Sequence, residues 1–166
     1  GVIMHQRSSH LQNALFNNVL GLPSGTLGSN VLIAGKKQLT TNYPNITQIE
    51  GEKVISIAIQ DDFHIVKTNK KEYKTQVIVL ALNYAKPFLI KGLEAYLEPH
   101  QRAKASKDRI QLRNENYLIT EGVYVCGTLS GCRSQFAIAA GSGASVATDI
   151  LTLWNNGEHS QVHDKI

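Results

Sequence analysis

Residues 121–154 form the stretch that most constrains the fold of this chain. A short apolar segment, 123–126, has the composition of a buried strand and is followed by a turn from Gly127 to Gly131. A long helix is predicted next, beginning near Ser134 and ending before Gly157, because glycine suits the position after a helix C-terminus. The C-terminal part of the chain is therefore predicted to be a strand–turn–helix unit.

Small residues recur along this predicted helix. They are Ala137, Ala139, Ala140, Gly141, Gly143, Ala144 and Ala147. Each glycine costs a helix about 1 kcal/mol relative to alanine, so two of them close together need a reason. Side chains this small allow backbone or a flat ligand to approach the helix closely. Ordinary packing of the helix on a sheet explains the pattern equally well, and both interpretations remain open.

Two helices and a short strand are predicted in the first third of the chain. Ser8 or Ser9 can cap a helix over about 10–19. A second helix is predicted over about 25–42, where apolar residues recur at helical spacing until Pro44 ends it. A short strand is predicted at 46–49.

The middle of the chain reads as a β-meander over about 54–76. Residues 54–59 and 63–68 are rich in β-branched residues and are separated by an Asp61-Asp62 turn. The continuous apolar run 77–82 is typical of a strand buried on both faces, so it is predicted to leave the meander and enter a parallel sheet. The connection 83–120 is predicted to be irregular, apart from a helical turn near 93–97.

Composition favours one soluble globular domain over residues 1–166. The apolar share is 42% and the charged share is 18%, which are ordinary values for such a domain. The formal charge is +4, and the densest basic runs, 67–74 and 100–107, are interpreted as solvated loops or a hairpin in preference to a nucleic-acid-binding patch. They accompany no nucleic-acid-binding motif, and no apolar run reaches transmembrane length. Neither a nucleic-acid partner nor a membrane is therefore expected.

The titratable residues give no catalytic or metal-binding pattern. Cys126 and Cys132 lie too far apart for a redox CxxC motif, and the six histidines are scattered without ligand spacing. Cys126 is predicted to be buried. Reduced thiols and the lack of a signal peptide favour a cytoplasmic location. No metal site is expected, and the catalytic residues are unknown.

Three motifs in the C-terminal stretch nevertheless support a resemblance to a known family. They are Gly-Val-Tyr-Val-Cys-Gly at 122–127, Gln135, and Ala-Ala-Gly-Ser-Gly at 139–143. This arrangement resembles the C-terminal flavin-binding segment of the FAD-dependent pyridine nucleotide–disulfide oxidoreductases of the thioredoxin-reductase-like type. One departure is that Thr128 stands where that family has an aspartate.

Earlier segments are similar to the same family in the same order. Segment 7–17 resembles the stretch after the family's second strand, and the meander resembles its three-stranded insertion. The strand 77–82 ends in Ala81-Leu82-Asn83, where the family has Ala-Thr-Gly. The resemblance implies an α/β fold: an incomplete FAD-binding Rossmann-like domain with a parallel sheet and helices, plus a three-stranded antiparallel β-meander.

The resemblance covers only the FAD-domain half of the family plan. No G-x-G-x-x-G follows a strand, although the family uses that loop to hold the cofactor's pyrophosphate. About 40 residues separate Asn83 from Glu121, too few for an NAD(P)H-binding domain. The missing N-terminal unit would include the central strand of the parallel sheet. Association is therefore expected, either as a homo-oligomer or with a partner subunit that completes the sheet.

The resemblance also implies a function and a set of site residues. The implied function is redox chemistry through FAD, with NAD(P)H as a possible electron donor. The alternative is a non-catalytic remnant or subunit that keeps the fold and acts through association. The residues implied to contact the cofactor are Arg7, His10, Lys53, Val54, Ala81, Gly127, Thr128, Arg133, Gln135 and Phe136.

Overall fold

The computed structural model describes residues 1–5, 9–160 and 162. The helices in this part of the chain are α1 (Gly28–Asn42) and α2 (Phe136–Trp154). The strands are β1 (Val2–His5), β2 (Leu15–Phe16), β3 (Thr26–Leu27), β4 (Thr47–Glu50), β5 (Val54–Ala58), β6 (His64–Thr68), β7 (Glu72–Thr75), β8 (Ile78–Leu80), β9 (Leu97–Pro99), β10 (Ile110–Leu112), β11 (Leu118–Thr120) and β12 (Val123–Val125).

The strands form several small sheets rather than one large one. β8 pairs with β12 in parallel, and β11 adds to β12 in antiparallel orientation. β1 and β4 form a separate parallel pair. The meander β5–β6–β7 is antiparallel, and β2–β3 and β9–β10 are antiparallel pairs. The fold is thus mixed α/β. Among the described residues each parallel arrangement comprises only two strands, so the Rossmann-like part of the prediction is not established by the pairing.

The main hydrophobic core lies between the meander and the sheet β8–β12–β11. Its fully enclosed members are Leu93, Leu112, Val123, Val125 and Leu129, each 0% exposed. The meander supplies Ile57 and Val66, and β8 supplies Ile78 and Leu80. Burying these apolar side chains is the main favourable contribution to folding of this part of the chain.

A smaller cluster lies on the opposite face of β12. Because side chains alternate along a strand, Tyr124 and Cys126 point away from Val123 and Val125. They pack against Val146 and Ile150 of α2. β12 is therefore covered on one face by the main core and on the other by α2, as its continuous apolar sequence predicts.

Most of α2 lies outside these clusters. Its buried residues are Ser142, Val146 and Ile150. A Cβ atom added at Gly141 or Gly143 would meet nothing within 4 Å. The small-residue pattern therefore does not serve close packing within the described part of the chain. By length and composition alone α2 could cross a membrane, and 17% of its most apolar segment is buried. Core helices of soluble proteins can have the same length and composition, so a single such helix is weak evidence for a membrane span.

The prediction of a helix over 10–19 is wrong. The chain forms only a single 3-10 turn, His10–Asn13, with the Ser9 hydroxyl accepting a hydrogen bond from the Leu11 N–H. It then enters the β2–β3 hairpin. The side chain of Asn17 closes that hairpin by accepting hydrogen bonds from the Ser24 hydroxyl and the Gly25 N–H. Asparagine side chains compete in this way with helical backbone bonding.

The second predicted helix is confirmed as α1, and the strand predicted at 46–49 is confirmed as β4. The helix begins three residues later than the earliest predicted start, because Thr26 and Leu27 pair with β2. Gly28 opens α1 against the preceding 3-10 turn, where a Cβ would lie 2.0 Å from the Leu11 carbonyl oxygen. Strand β1 was not predicted, since only four residues, without alternation, mark it.

The meander and the departure of 77–82 from it are confirmed. The prediction of an irregular 83–120 connection is partly wrong, because β9, β10 and β11 lie within it. The predicted helical turn is present as a 3-10 turn at Glu94–Tyr96. Ile90, Leu93 and Ile110 anchor this connection in the main core, and such long-range burial is not visible in its polar local sequence.

Candidate functional site

The turn after β12 is the centre of the predicted site. It is a 3-10 turn, Gly127–Ser130, entered at Gly127 with φ 68° and left at Gly131 with φ 87°. Both angles lie in the left-handed region that favours glycine. A Cβ at Gly127 would meet nothing within 4 Å, so the backbone here is open to a ligand.

A serine of α2 holds the helix against this turn. The Gly127 N–H donates to the Ser142 hydroxyl over 2.8 Å, and that hydroxyl donates to the Ala139 carbonyl over 2.7 Å. Ser142 is only 2% exposed. Both hydrogen-bonding roles of the hydroxyl are therefore satisfied away from water, which fixes the angle between the turn and the helix.

Ala81 lies beside this turn because of the strand register. Leu80 is paired with Val125, and the Cys126 N–H donates to the Leu80 carbonyl over 3.0 Å. Ala81 and Gly127 therefore leave the same end of two neighbouring parallel strands. Thr128 follows in the turn, and its carbonyl accepts a hydrogen bond from the His100 ring over 3.0 Å.

Arg133, Gln135 and Phe136 lie together at the N-terminus of α2. Gln135 occupies the capping position but makes no side-chain capping bond, and the first turn contains no acidic residue. The first N–H groups of a helix have no partner within it and carry partial positive charge. Phe136 also contacts Phe16 of β2, with ring centroids 5.0 Å apart, which links the N-terminal hairpin to α2.

The remaining predicted site residues lie in other segments of the chain. Arg7 lies outside the described residues. His10 is exposed in the 3-10 turn before β2. Lys53 lies at the entrance to β5, where its N–H donates to the Asn69 side chain over 2.8 Å, and Val54 begins that strand. Their roles stay predictions.

A cleft of about 310 Å³ opens beside the N-terminus of α2. Arg133 and Gln135 line one side of it together with Cys132 and Ser134. The opposite side comes from the loop between β9 and β10, which contributes Arg102, Lys104 and Lys107. The sequence predicts a solvated loop or a hairpin here, and this is confirmed, because β9 and β10 pair in antiparallel orientation and the cationic side chains between them are exposed. The basic run was the available signal, but nothing local indicated that it faces Arg133.

His100 fixes the loop that carries these cations. Its Nδ1 accepts a hydrogen bond from the Arg102 N–H over 3.1 Å, so the proton is assigned to Nε2, which donates to Thr128. Gln101 adds two further bonds, from its N–H to the Gln111 side chain over 2.9 Å and from its amide to the Gly131 carbonyl over 3.4 Å. The basic loop is thus attached directly to the turn 127–131.

The two cysteines differ in environment. Cys126 is buried as predicted, and burial raises the pKa of its thiol, so the reactive thiolate form is disfavoured. Cys132 lines the cleft and its sulfur lies 3.3 Å from the Ser130 hydroxyl. Both thiols are free. The described residues contain no group of three or more metal-ligating side chains.

The fold around this site is that of a known class of protein. No protein-family model and no curated protein matches the sequence, whereas solved structures do match it. A thioredoxin reductase from Gloeobacter violaceus is similar over 99% of this chain and 89% of its own, with a TM-score of 0.74 and 12% identity. The fold of this chain is therefore thioredoxin-reductase-like.

A second protein gives the same result. Two crystal structures of a ferredoxin-flavin thioredoxin reductase from Clostridium acetobutylicum match with a TM-score of 0.63. The identities are 14% and 15%, and the matches cover 88% and 89% of this chain and 84% and 87% of theirs. At such identities the likeness defines the fold, which agrees with the resemblance in the sequence; it does not define the chemistry.

Proposed function

We propose that this chain is the FAD-holding part of a flavin-dependent oxidoreductase. The observation that carries the proposal is the unit formed by β8, β12, the Gly127 turn and α2, within a thioredoxin-reductase-like fold. Open backbone at Gly127 and an uncapped helix N-terminus are the features that a flavin needs at this position. The incomplete Rossmann-like arrangement of the domain is part of the same proposal.

These features suit the electron-rich end of a flavin. Bound FAD would supply the redox chemistry, and the protein would bind and orient it. The N–H groups that begin α2 would stabilise negative charge on the pyrimidine edge of the ring. Gln135 and Phe136 would contact that edge, while Gly127 and Thr128 would meet the ribityl chain. Threonine can form hydrogen bonds there but carries no charge, so weak binding is expected.

The electron donor is part of the proposal as well. NAD(P)H is the donor that the sequence resemblance suggests. The Clostridium acetobutylicum protein is named a ferredoxin-flavin thioredoxin reductase, so a reduced ferredoxin belongs in the same assay. A cytoplasmic location is proposed with this function. Nucleic acid and membrane are not proposed as partners.

The direct test is an absorbance spectrum of the purified protein, followed by heat release and identification of any chromophore. The expected result is a flavin spectrum, or uptake of added FAD by a colourless protein to one FAD per chain. The Thr128→Asp variant should bind FAD more tightly, whereas the matched Thr41→Asp change on the exposed face of α1 should not. Failure of both the wild type and the Thr128→Asp variant to take up FAD contradicts the proposal.

The alternative function is association without catalysis, and one observation favours it. β1 is paired only with β4, and β8 only with β12, among the described residues. Val2 and Val79 are 50% and 43% exposed on these strands, and Trp154 of α2 is 65% exposed. A strand from a second copy or a partner subunit would complete the pairing. Light scattering gives the native mass, and a monomer over the full working concentration range argues against self-association.

A further inference from the structure

We propose that the cleft between the β9–β10 loop and the N-terminus of α2 binds a small phosphate-bearing molecule. The cleft shares Arg133 and Gln135 with the residues proposed to contact the flavin, whereas its other cations, Arg102, Lys104 and Lys107, are not among those contacts. Binding of a phosphate-bearing molecule to the cleft can be measured without flavin, so this proposal does not depend on FAD binding.

The cleft is positively charged. Arg102, Lys104, Lys107 and Arg133 line it, and none of the described lining residues is acidic. All four side chains are exposed, so water and salt screen their mutual repulsion, but each of them attracts an anion placed between them. The folded chain therefore presents a field that selects negative charge at this point.

In the part of the chain that the structure describes, these cations have no carboxylate partner. The described ion pairs join Lys36 to Glu50, Lys67 to Glu72, Lys86 to Asp108 and Arg113 to Glu98. None of these pairs uses a cation of the cleft. Two of them, those of Lys86 and Arg113, involve residues close to β9 and β10, so nearby cations are neutralised while those of the cleft are not.

The backbone of the basic loop is held in place by hydrogen bonds to the turn after β12. His100 and Gln101 hold the backbone of the basic loop beside the turn 127–131, while the cationic side chains of the loop are exposed. At Gly131 a Cβ would lie 2.6 Å from the Gln101 amide nitrogen and 2.7 Å from the Gln111 oxygen, so the loop and the turn fit closely. A loop whose backbone is already held in place loses less entropy on binding than a mobile one.

The size and charge of the cleft indicate the chemical class of its ligand. A volume of about 310 Å³ is at the small end of the range for small-molecule pockets and is too small for a macromolecular groove. Arginine forks bind phosphate through two parallel hydrogen bonds, and lysines add point charges. Helix N-terminal N–H groups, here beside Ser134 and Gln135, also favour phosphate. Four cations match the multiple charge of a phosphate group better than the single charge of a carboxylate.

Calorimetric titration with inorganic pyrophosphate at constant ionic strength tests this proposal. We expect saturable one-to-one binding to the full chain without flavin. The Arg102→Gln/Lys104→Gln variant, which alters no proposed flavin contact, should bind at least about tenfold more weakly, since removing one charge-assisted hydrogen bond weakens binding by about that factor. The matched Lys37→Gln/Lys91→Gln variant removes the same charge from exposed positions elsewhere and should bind as the wild type does.

Several results would overturn the proposal. One is the absence of saturable pyrophosphate binding, and another is an equal loss in both double variants, which would indicate only general electrostatic attraction. Citrate binding as tightly as pyrophosphate would overturn the choice of phosphate. Displacement of pyrophosphate by FAD would assign the cleft to the cofactor's own phosphates. Pyrophosphate binding in a chain that takes up no FAD would refute the proposed flavin function and leave this site intact.

Discussion

The two parallel strand pairs of this protein differ sharply in burial. In the β8–β12 pair all three residues of β12 are buried, with the main core on one face and α2 on the other. In the β1–β4 pair no residue is buried. Both pairs have regular parallel registers. Backbone pairing alone therefore does not make a core. Parallel sheets are normally covered on both faces by other elements, and the β1–β4 pair lacks such cover.

The largest effect is expected where the connection 83–120 meets the meander. In Gly92→Ala, the new Cβ would lie 1.9 Å from the Ile57 carbonyl oxygen at φ 95°. We expect a loss of about 4 kcal/mol or more in the free energy of unfolding, because backbone must move in the core. Gly51→Ala, at φ 67° with nothing within 4 Å, should cost only about 1 kcal/mol. Denaturant titration checks both, and equal losses would mean that the contact with Ile57 is unimportant.

The next effect compares the two strand pairs directly. Ile78→Ala in β8 removes a side chain that is 8% exposed, and it should lower the free energy of unfolding by about 2–5 kcal/mol. Ile3→Ala in β1 removes a half-buried side chain and should cost about 1 kcal/mol. The same denaturant titration measures both. If Ile3→Ala proves as costly as Ile78→Ala, the β1–β4 pair is covered by another subunit in solution.

A smaller effect is expected at the junction of the turn with α2. Ser142→Ala leaves the Gly127 N–H without its partner and should destabilise the protein by about 1–3 kcal/mol. Thr148→Ala removes a similar hydroxyl that bonds only to the Ala144 carbonyl on the same helix, and its effect should stay within about 0.5 kcal/mol. Thermal melting compares the two. Indistinguishable melting temperatures would show that the helix is held by Val146 and Ile150 alone.

The smallest effect is expected at Glu52, in the segment that joins β4 to β5. This side chain is 5% exposed and accepts hydrogen bonds from Thr68 and Tyr73. The Thr68 bond is the main cause that lowers the pKa of Glu52 below its ordinary 4.5. A lowered carboxyl pKa stabilises the fold above the unfolded-state pKa, and that stability is lost as pH falls through the folded-state pKa.

Glu52→Gln should therefore lose stability less steeply than the wild type as pH falls below 4.5. Denaturation midpoints measured across this range check it, with Glu121→Gln at an exposed position as the control. Parallel curves for the wild type and Glu52→Gln would show that the hydrogen bond from Thr68 does not favour the ionised carboxylate.

Sequence reasoning was most successful where local pattern and tertiary environment agree. The apolar runs at β8 and β12, the meander with its turns, and α1 ended by Pro44 all follow from periodicity, β-branched content and backbone restriction. The helix predicted over 10–19 failed because Asn17 bonds across a hairpin instead, and three strands in 83–120 were missed because long-range burial stabilises them.

The candidate site divides in the same way. The sequence by itself determined the strand–turn–helix unit, since Gly127, Gly131 and the long apolar helix carry their conformations in local chemistry. Only the tertiary structure decided that Arg102, Lys104 and Lys107 face Arg133, because the hydrogen bonds of His100 and Gln101 join segments about 30 residues apart. Local preference extends over a few residues, whereas a binding cleft depends on which distant segments the core brings together.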